Sequence, residues 1–403
     1  MAASESCEVL VVGGGIHGVG VAQAAAAAGY QTILLEKTAL AAGTSCRSSK
    51  LVHGGLRYLE SRQFSLVRES LRERALLIRL APKLVRWQKF FLPVYPTTSR
   101  RPWLLRTGLS LYAVMAGWDP HSLFRTVPRK DWEGLDGLKT DQLQSVLQYW
   151  DGQTDDAALT HAVMQSAQEL GAELRCPASC HAVEIAEDGC LIRYEYQQEL
   201  RECRAATVVN AAGPWANAVL ARVTPEVPSM PVENVQGTHL ELPGPVDQGC
   251  YYLEMPIDRR AVFVMPWGQR TLLGTTEHVY TGDPAHAKPL DVEREYLLAG
   301  YRHFFPNRSR EVLDAWTGLR VLPTGGGKAF GRSRETQLPV DNQRRPRLVT
   351  VFGGKLTSYR ATAEKVMGVL QRTLDRRPPR CSTAELPLAP VDWPDEKAGI
   401  WTI

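Results

Sequence analysis

Several charged or ionisable side chains lie in stretches that are otherwise apolar, where an unpaired charge is costly. Arg320 follows Trp316 in a mostly apolar run, and His239 and Arg334 lie in the same part of the chain. Burying a guanidinium is unfavourable unless an anion faces it, so Arg320 indicates a site for a negatively charged ligand. An isolated histidine or threonine, such as His239 or Thr276, is more often structural.

A glycine-rich turn near the N-terminus gives the clearest chemical signal. Residues 9–12 form an apolar run typical of a buried parallel strand, and Gly13, Gly15 and Gly18 then complete the pattern G-x-G-x-x-G. An alanine-rich helix follows, and a second apolar strand ends in Glu36, an acid placed to accept hydrogen bonds from a ribose. This spacing predicts a dinucleotide site with the pyrophosphate at the helix N-terminus. These residues do not distinguish FAD from NAD.

Two later stretches have the composition of loops that contact a cofactor. Residues 41–60 are rich in hydroxyl-bearing and small residues and include Gly54 and Gly55, so we predict a loop that wraps phosphates and lies flat against a ring. Residues 348–352 predict a strand that is followed by Gly353, Gly354 and a helix. The N-terminus of that helix would stabilise negative charge on a reduced ring.

Composition limits the class of protein. The chain has 403 residues, of which 44% are hydrophobic and 22% are charged, which predicts two or three globular domains. We expect a cytoplasmic location, at most on the inner face of the cell membrane, because no signal peptide or membrane-spanning run is present. The eight cysteines include no C-x-x-C pair, which favours reduced thiols and predicts no metal site.

Positive charge is concentrated in one aromatic-rich segment. Residues 61–130 contain fourteen Lys/Arg and three Asp/Glu, a net charge of +11 in a chain whose total is +4. The aromatic residues could form core, or they could enter a membrane surface while the arginines meet anionic lipid. We favour the membrane surface, and we predict no nucleic-acid partner because no binding module is recognisable.

Five motifs, in the same order, resemble the FAD-dependent glycerol-3-phosphate dehydrogenases. They are VVGGGIHGVG (11–20), GTSCRSSKLVHGGLRYLE (43–60), NAAGPW (210–215), GTTE (274–277) and VFGGKLTSYR (351–360). The resemblance covers roughly residues 7–375, without most of the helical C-terminal domain usual in that family. It implies an α/β fold, in which a glutathione-reductase-like, Rossmann-type FAD-binding domain is interleaved with an antiparallel β-sheet substrate domain like that of D-amino-acid oxidase.

The resemblance also implies a division of the chain. We predict FAD-binding segments at residues 1–82, 151–224 and 336–375, a substrate domain at 225–335, the basic aromatic segment at 83–150 and a tail at 376–403. The residues predicted to contact FAD are Gly13, Gly15, Ile16, His17, Gly18, Glu36, Lys37, Thr44, Ser45, Ser48, Ser49, Leu51, His53, Gly54, Gly55, Ala212, Gly213, Trp215, Gly274, Gly353, Gly354, Lys355, Leu356 and Thr357.

The reaction that the resemblance implies is oxidation of sn-glycerol 3-phosphate to dihydroxyacetone phosphate, with hydride transfer to flavin N5 and a quinone as electron acceptor. The predicted substrate-binding residues are Arg57, Tyr58, His239, Arg320, Arg334 and Lys355. A dianionic phosphate prefers several Arg and Lys donors, which supports this set independently. The predicted catalytic residues are His239, His53, Arg320 and Lys355, with His239 preferred over His53 as the base.

Two departures and two alternatives stay open. Gln236 replaces the lysine usual in the family, which is expected to remove a cation near the pocket, and Glu277 stands where aspartate is common. The chain could instead be a related flavin oxidase or dehydrogenase of another anionic 2-hydroxy or amino acid, or a non-catalytic flavin-binding protein. Expected partners are a small phosphorylated substrate, a quinone, a membrane surface and a second copy in a homo-oligomer.

Overall fold

The computed structural model describes residues 5–117, 119–324 and 335–391. The α-helices in these ranges are α1 (Ile16–Ala27), α2 (Phe64–Leu80), α3 (Pro102–Met115), α4 (Asp156–Glu169), α5 (Ala216–Leu220), α6 (Asp291–Phe304) and α7 (Tyr359–Leu370). The β-strands are β1 (Glu5–Val12), β2 (Thr32–Leu35), β3 (Leu51–Val52), β4 (Val85–Val94), β5 (Arg125–Thr126), β6 (Ser145–Thr154), β7 (Glu173–Arg175), β8 (Ala178–Ile185), β9 (Cys190–Tyr196), β10 (Glu199–Asn210), β11 (Val223–Thr224), β12 (Val232–Pro243), β13 (Cys250–Glu254), β14 (Ala261–Trp267), β15 (Arg270–Gly274), β16 (His278–Tyr280), β17 (Asp314–Pro323) and β18 (Leu348–Thr350). They form two large sheets, and the chain passes between them several times.

The first sheet contains the predicted nucleotide-binding strands. Its order is β11-β8-β9-β10-β1-β2-β7, and β18 also pairs with β10. β1 runs parallel to β2 and to β10, and the C-terminal halves of β1 and β10 are mostly apolar and buried. β8 and β9 form an antiparallel hairpin, and Asp188 and Gly189 lie in the turn between them. The C-terminal ends of β1, β2, β10 and β18 therefore meet at one edge of the sheet.

Helix α1 is almost entirely buried because its residues are small. It packs between the first sheet, α4 and α7. A Cβ atom on Gly20 would lie 2.7 Å from the ring of Tyr359 in α7, so this crossing requires glycine. On the α4 side, Gln23 Nε2 donates to Ser166 Oγ at 2.9 Å. The helix ends at Ala27, and Gly29, two residues further on, has a φ of +89°, the left-handed conformation that favours glycine.

The second sheet is mainly antiparallel and has the order β16-β12-β15-β14-β13-β4-β6-β3. β17 pairs with β12 along ten residue pairs, and β5 pairs with β6. The predicted substrate segment, residues 225–335, contributes β12 to β17 to this sheet. The segment 83–150 also contributes to this sheet, because β4 and β6 pair along their full length and β4 joins β13. In the structure, therefore, the basic aromatic segment extends the substrate sheet.

Most aromatic side chains of that segment lie in the core. Phe90, Phe91, Tyr95 and Tyr112 are buried, in contact with other apolar side chains of the second sheet. The last five residues of β4 are all buried, and they include Phe90 and Phe91. The core interpretation therefore holds for these residues. Trp118 lies outside the described residues.

The outer surface of α3 is different, because it presents a row of apolar side chains to solvent. Trp103 is 64% exposed, and Leu104, Leu111 and Val114 on the same helix are also exposed. We call these four residues the α3 patch. Arg101 precedes the patch and is exposed. Within the described ranges, no helix has the length and the apolar content needed to cross a bilayer.

Residues 376–391, which belong to the predicted tail, pack against the helices of the first sheet. The Arg380 amide donates to Ala27 O at 2.7 Å, and its Nη1 donates to Leu170 O at 2.8 Å. These carbonyls lie at the C-terminal ends of α1 and α4, where the helix itself provides no donor. Leu388 is buried against the same layer. This part of the chain therefore covers the ends of two helices.

Candidate active site

A cavity of about 750 Å³ lies where the two sheets meet. Its walls come from the ends of β1 and β2, the loop that follows β2, and the inner faces of β12 and β17. The predicted site residues that line it are Gly13, Gly15, Ile16, His17, Glu36, Lys37, Thr44, Ser45, Ser48, Ser49, Leu51, His53, Tyr58, Ala212, Gly213, Trp215, His239, Arg320, Gly353, Gly354, Lys355, Leu356 and Thr357. Gly18, Gly54, Gly55, Arg57 and Gly274 are not among its lining residues, and Arg334 lies outside the described residues.

The glycines of the first turn are required by close backbone contacts. Gly13 has a φ of +113°, and a Cβ on it would lie 2.6 Å from Ala211 O at the end of β10. A Cβ on Gly18 would lie 1.8 Å from Gly13 O. The turn is closed by Glu36, whose Oε2 accepts from Gly14 N at 2.7 Å and whose Oε1 accepts from Thr38 N at 2.7 Å. Glu36, directly after β2, therefore lies beside the glycine turn, and its contact with a ribose stays a prediction.

His17 connects this turn with the glycine loop at the far end of the chain. A Cβ on Gly354 would lie 2.3 Å from His17 Nε2, so the two segments are in direct contact. Burial lowers the pKa of His17 to about 4, and the imidazole is therefore neutral at ordinary pH. Its Nδ1 is buried and has no hydrogen-bond partner among the described residues. A glycine cradle with an unsatisfied buried nitrogen beside it fits a dinucleotide that brings its own polar atoms.

The ring of His239 on β12 lies in space that is free because residue 274 on the neighbouring strand is a glycine. A Cβ on Gly274 of the neighbouring β15 would lie 2.2 Å from His239 Cδ2. The ring stacks on Trp316 at 5.8 Å between centroids, and its Nε2 lies 2.9 Å from Ser49 Oγ. Burial, and then the charges of Arg320 and Lys50, lower the pKa of His239 to about 3. The imidazole is therefore neutral and able to accept a proton.

Arg320 on β17 lies across the same face of the sheet and is held in one orientation. Its Nη1 donates to Glu277 Oε1 at 2.9 Å, and its Nη2 donates to Thr275 Oγ1 at 3.1 Å and to Thr276 O at 3.0 Å. A Cβ on Gly237 would lie 2.3 Å from Nη2. The guanidinium therefore depends on a glycine in β12 and on the loop that follows β15.

Lys355, whose ammonium group lies over the ring of Tyr58, is a second cation at the cavity. Lys355 Nζ lies 4.1 Å from the centre of the Tyr58 ring and donates to Ser70 Oγ at 3.2 Å. Arg57 stacks against the same ring, with its Cζ 5.6 Å from the centre. The backbone of His53 is tied to the far end of the chain, because its amide donates to Thr357 Oγ1 at 3.1 Å. The loop that contains His53 and the glycine loop that leads to Thr357 thus form one wall of the cavity.

A buried ion pair that the sequence did not predict lies beneath the cavity. Lys50 Nζ bonds to Asp156 Oδ1 and donates to Cys46 O at 2.7 Å. Asp156 lines the cavity and also accepts from Ser48 N at 2.9 Å. Burial would lower the pKa of Lys50, but the charges of Asp156 and Asp155 outweigh it and raise the pKa. The acidic pair at the start of α4 was a signal for this contact, since an acid at a helix N-terminus is well placed to anchor a loop.

The expectation for Gln236 is wrong in one respect. Successive side chains of a strand point to opposite faces, and Gly237 and His239 face the cavity. Gln236 therefore faces away from it, towards α6, where its Nε2 donates to Glu293 Oε2 at 2.6 Å and to Lys288 O at 2.8 Å. The exchange of lysine for glutamine at this position removes a cation from the back of the sheet, and the cavity wall is unaffected.

Comparisons with known proteins agree with this architecture. The profile of the family described as FAD dependent oxidoreductase matches residues 8–366. The chain belongs to this family. A glycerol-3-phosphate dehydrogenase of Synechocystis sp. is 33% identical over 403 residues, which span 94% of this chain and 73% of that protein. The D-erythritol 1-phosphate dehydrogenase of Brucella abortus is 37% identical over 374 residues, which span 91% of this chain and 74% of that protein.

Solved structures agree with this fold, and one of them contains FAD. The glycerol-3-phosphate dehydrogenase of Bacillus halodurans, complexed with FAD, has a TM-score of 0.75 at 26% identity and covers 95% of this chain and 68% of that one. A glycine oxidase of Geobacillus kaustophilus has a TM-score of 0.71 at 19% identity, covering 96% of this chain and 99% of that one, and shares the fold. The chain is thus an FAD-dependent oxidoreductase related to the glycerol-3-phosphate dehydrogenases, as the motifs predicted.

Proposed function

We propose that this oxidoreductase converts sn-glycerol 3-phosphate to dihydroxyacetone phosphate. The observation that carries the proposal is the pair of His239 and Arg320, which lie on neighbouring strands at one end of the FAD cavity. A neutral imidazole beside a fixed guanidinium suits a substrate that has a hydroxyl to deprotonate and an anionic group to hold. Lys355 adds a second cation at the same cavity.

Each of these residues has a distinct role in the proposed reaction. Arg320 binds phosphate oxygens, with Lys355 contributing further positive charge. FAD, when bound, supplies the hydride acceptor for the C2 hydrogen. His239 accepts the proton of the C2 hydroxyl. An arriving phosphate dianion raises the pKa of His239, because it offsets the positive charge that Arg320 and Lys50 place near the ring. Substrate binding therefore makes His239 a better base.

The length of the polyol is a separate question. Relatives of similar identity act on glycerol 3-phosphate and on D-erythritol 1-phosphate according to their names. Both compounds are polyol phosphates, so the arginine and lysine set suits either. Glycerol, which lacks the phosphate, is the matched negative control.

The experiment is anaerobic titration of the purified, FAD-loaded protein. We expect bleaching of the visible flavin absorption on addition of glycerol 3-phosphate, and none with the same concentration of glycerol. Bleaching with D-erythritol 1-phosphate at a lower concentration than with glycerol 3-phosphate would identify the longer polyol phosphate as the preferred substrate. Bleaching only with an unphosphorylated 2-hydroxy or amino acid would replace the proposal with the related oxidase function. No bleaching with any of these compounds would favour a non-catalytic flavin protein.

We also propose that the α3 patch contacts the membrane surface and that a quinone there accepts the electrons. The patch is apolar and lies beside the exposed Arg101. The opposite side of α3 is connected to the active site, because Tyr112 donates to Asp151 Oδ2 at 2.9 Å, and Asp151 accepts from Gly54 N at 3.3 Å. A membrane contact at this helix would therefore lie close to the cofactor wall.

Flotation with liposomes that contain anionic lipid tests the membrane contact. The double variant Trp103→Ser, Leu111→Ser should reduce the bound fraction about tenfold or more, since each large apolar side chain contributes roughly 1.5–3 kcal/mol when buried. Leu200→Ser is the control, because Leu200 is 79% exposed in the β9–β10 hairpin, away from α3. Equal binding of all three proteins would refute the proposal. Arg100 is unsuitable for this test because it bonds to Glu60 and Glu254.

A further inference from the structure

A buried carboxylate stands behind the active-site face of the second sheet. Glu293, in the first turn of α6, is 4% exposed. Its Oε2 accepts from Gln236 Nε2 at 2.6 Å and from Thr238 Oγ1 at 2.7 Å, and its Oε1 accepts from Thr276 Oγ1. It also accepts from Leu290 N at 3.1 Å, which caps the helix. We call Gln236, Thr238, Thr276 and Glu293 the Glu293 cluster.

Thr276 connects this cluster to the active site. Its hydroxyl donates to Glu293 and accepts from Thr238 N at 2.8 Å, so both hydrogen-bonding directions are used. Its carbonyl oxygen accepts from Arg320 Nη2, and the residues on either side of it, Thr275 and Glu277, hold the same guanidinium. The position of Arg320 therefore depends on where Thr276 is anchored.

We infer that Glu293, acting through Thr276, is a positioning residue that sets the orientation of Arg320 for a phosphate monoester. This rests on the proposed function, in which Arg320 binds the phosphate of the substrate. Arginine binds phosphate in a fixed, bidentate geometry, so a small displacement of the guanidinium weakens binding. Glu293 lies one layer behind the cavity and does not line it. Its influence on the substrate is therefore indirect.

A purely structural role for Glu293 is the competing explanation, because the carboxylate also caps α6. The two explanations differ for the two threonines of the cluster. Thr238 and Thr276 each donate one hydroxyl hydrogen bond to Glu293, and both are buried. Only Thr276 belongs to the loop that holds Arg320. A structural role predicts similar effects of losing either hydroxyl, whereas a positioning role predicts a functional effect at Thr276 alone.

The test compares Thr276→Val, Thr276→Ser and Thr238→Val in the FAD-loaded protein. Valine has nearly the shape of threonine without the hydroxyl, and serine keeps the hydroxyl. We expect Thr276→Val to raise KM for glycerol 3-phosphate about tenfold, the value of one misplaced charged hydrogen bond, with a smaller change in kcat. Thr276→Ser should restore KM to within about twofold of the wild type. Thr238→Val should leave KM unchanged even if it lowers the melting temperature as much as Thr276→Val.

A direct binding measurement separates this inference from the proposed function. Inorganic phosphate is titrated into each FAD-loaded protein, and its Kd should rise about tenfold in Thr276→Val only. If glycerol 3-phosphate fails to bleach the wild-type flavin, the proposed function is refuted, while the phosphate titration still tests the role of Glu293 and Thr276. Equal phosphate affinity in all variants, or equal losses in Thr276→Val and Thr238→Val, would overturn the inference.

Discussion

Gly237 provides the most direct test of the active-site geometry. A Cβ atom at this position would lie 2.3 Å from Arg320 Nη2 and 2.5 Å from Thr275 Oγ1, whereas ordinary contacts begin at 3.4 Å. In Gly237→Ala the guanidinium must therefore retreat by about 1 Å. The atoms that clash are the ends of side chains, so the strand itself can keep its position. The substitution should displace Arg320 without unfolding the sheet.

The expected effect on function is larger than the effect on stability. A displacement of about 1 Å in a positioning group can cost up to a hundredfold in catalysis, so we expect KM for glycerol 3-phosphate to rise roughly ten- to a hundredfold. This corresponds to about 1.4–2.8 kcal/mol of lost binding. The free energy of unfolding should change by less than about 1 kcal/mol, because alanine in place of glycine reduces the entropy of the unfolded chain and offsets part of the strain.

Steady-state kinetics measure the change in KM, and urea denaturation measures the change in the free energy of unfolding. Gly274→Ala is the matched comparison, because its Cβ would meet the ring of His239 at 2.2 Å, and it should lower kcat more than it raises KM. Gly108→Ala in α3 is the control, since nothing lies within 4 Å of the added Cβ, and it should be neutral or stabilising. The reasoning is refuted if Gly237→Ala keeps the wild-type KM, or if its loss of activity follows only its loss of stability.

Three further changes have expected outcomes. Lys50→Met should cost about 3–5 kcal/mol of unfolding free energy in urea, since it leaves Asp156 buried without its cation, whereas Lys365→Met, in an exposed ion pair, should cost less than about 1 kcal/mol. Burial lowers the pKa values of His239 and His17 in the folded protein, so protons bind preferentially to the unfolded chain below about pH 6.5. The free energy of unfolding of the apoprotein, measured by urea denaturation, should therefore fall by roughly 2 kcal/mol per histidine between pH 7.5 and pH 5. An unfolding free energy that does not change over this pH range would contradict the burial of both histidines. Gln236→Lys should leave KM for glycerol 3-phosphate unchanged, because the side chain faces α6 and a lysine can still donate to Glu293, and an altered KM would contradict this placement.

Local signals predicted the strand, glycine turn and helix at the start of the first sheet. The turn at Gly13 and Gly18 is made by neighbouring residues, and its close contacts leave no alternative to glycine. The strand, helix and acid that follow are fixed by the same short stretch. A pattern of this kind can be read from sequence because its physical cause lies within about thirty residues.

The substrate-binding half of the site depends on contacts between residues that are far apart in the chain, and the sequence does not show which of them are in contact. Arg320 is held by Thr275, Thr276 and Glu277, more than forty positions earlier in the chain. Each of these residues stands out in the sequence by itself, and nothing in the sequence indicates that they are in contact. The same limitation affected the segment 83–150, whose aromatic residues and charges stood together in sequence. Pairing of β4 with β6 and β13 placed most of those aromatic residues in the core.

Gln236 shows why the face of a strand matters more than its distance from a catalytic residue. It is three positions from His239, and an odd separation within β12 puts the two side chains on opposite faces. A lysine there can still donate to Glu293, so the anchor of Thr276 is kept, and the added charge lies on the face of the sheet opposite the substrate. Thr276, on the back of the same sheet, belongs to the loop that holds Arg320, so it can alter phosphate binding while the cavity lining stays the same. For this reason, Thr276, which lies behind the lining, is a better place to look for control of substrate affinity than Gln236.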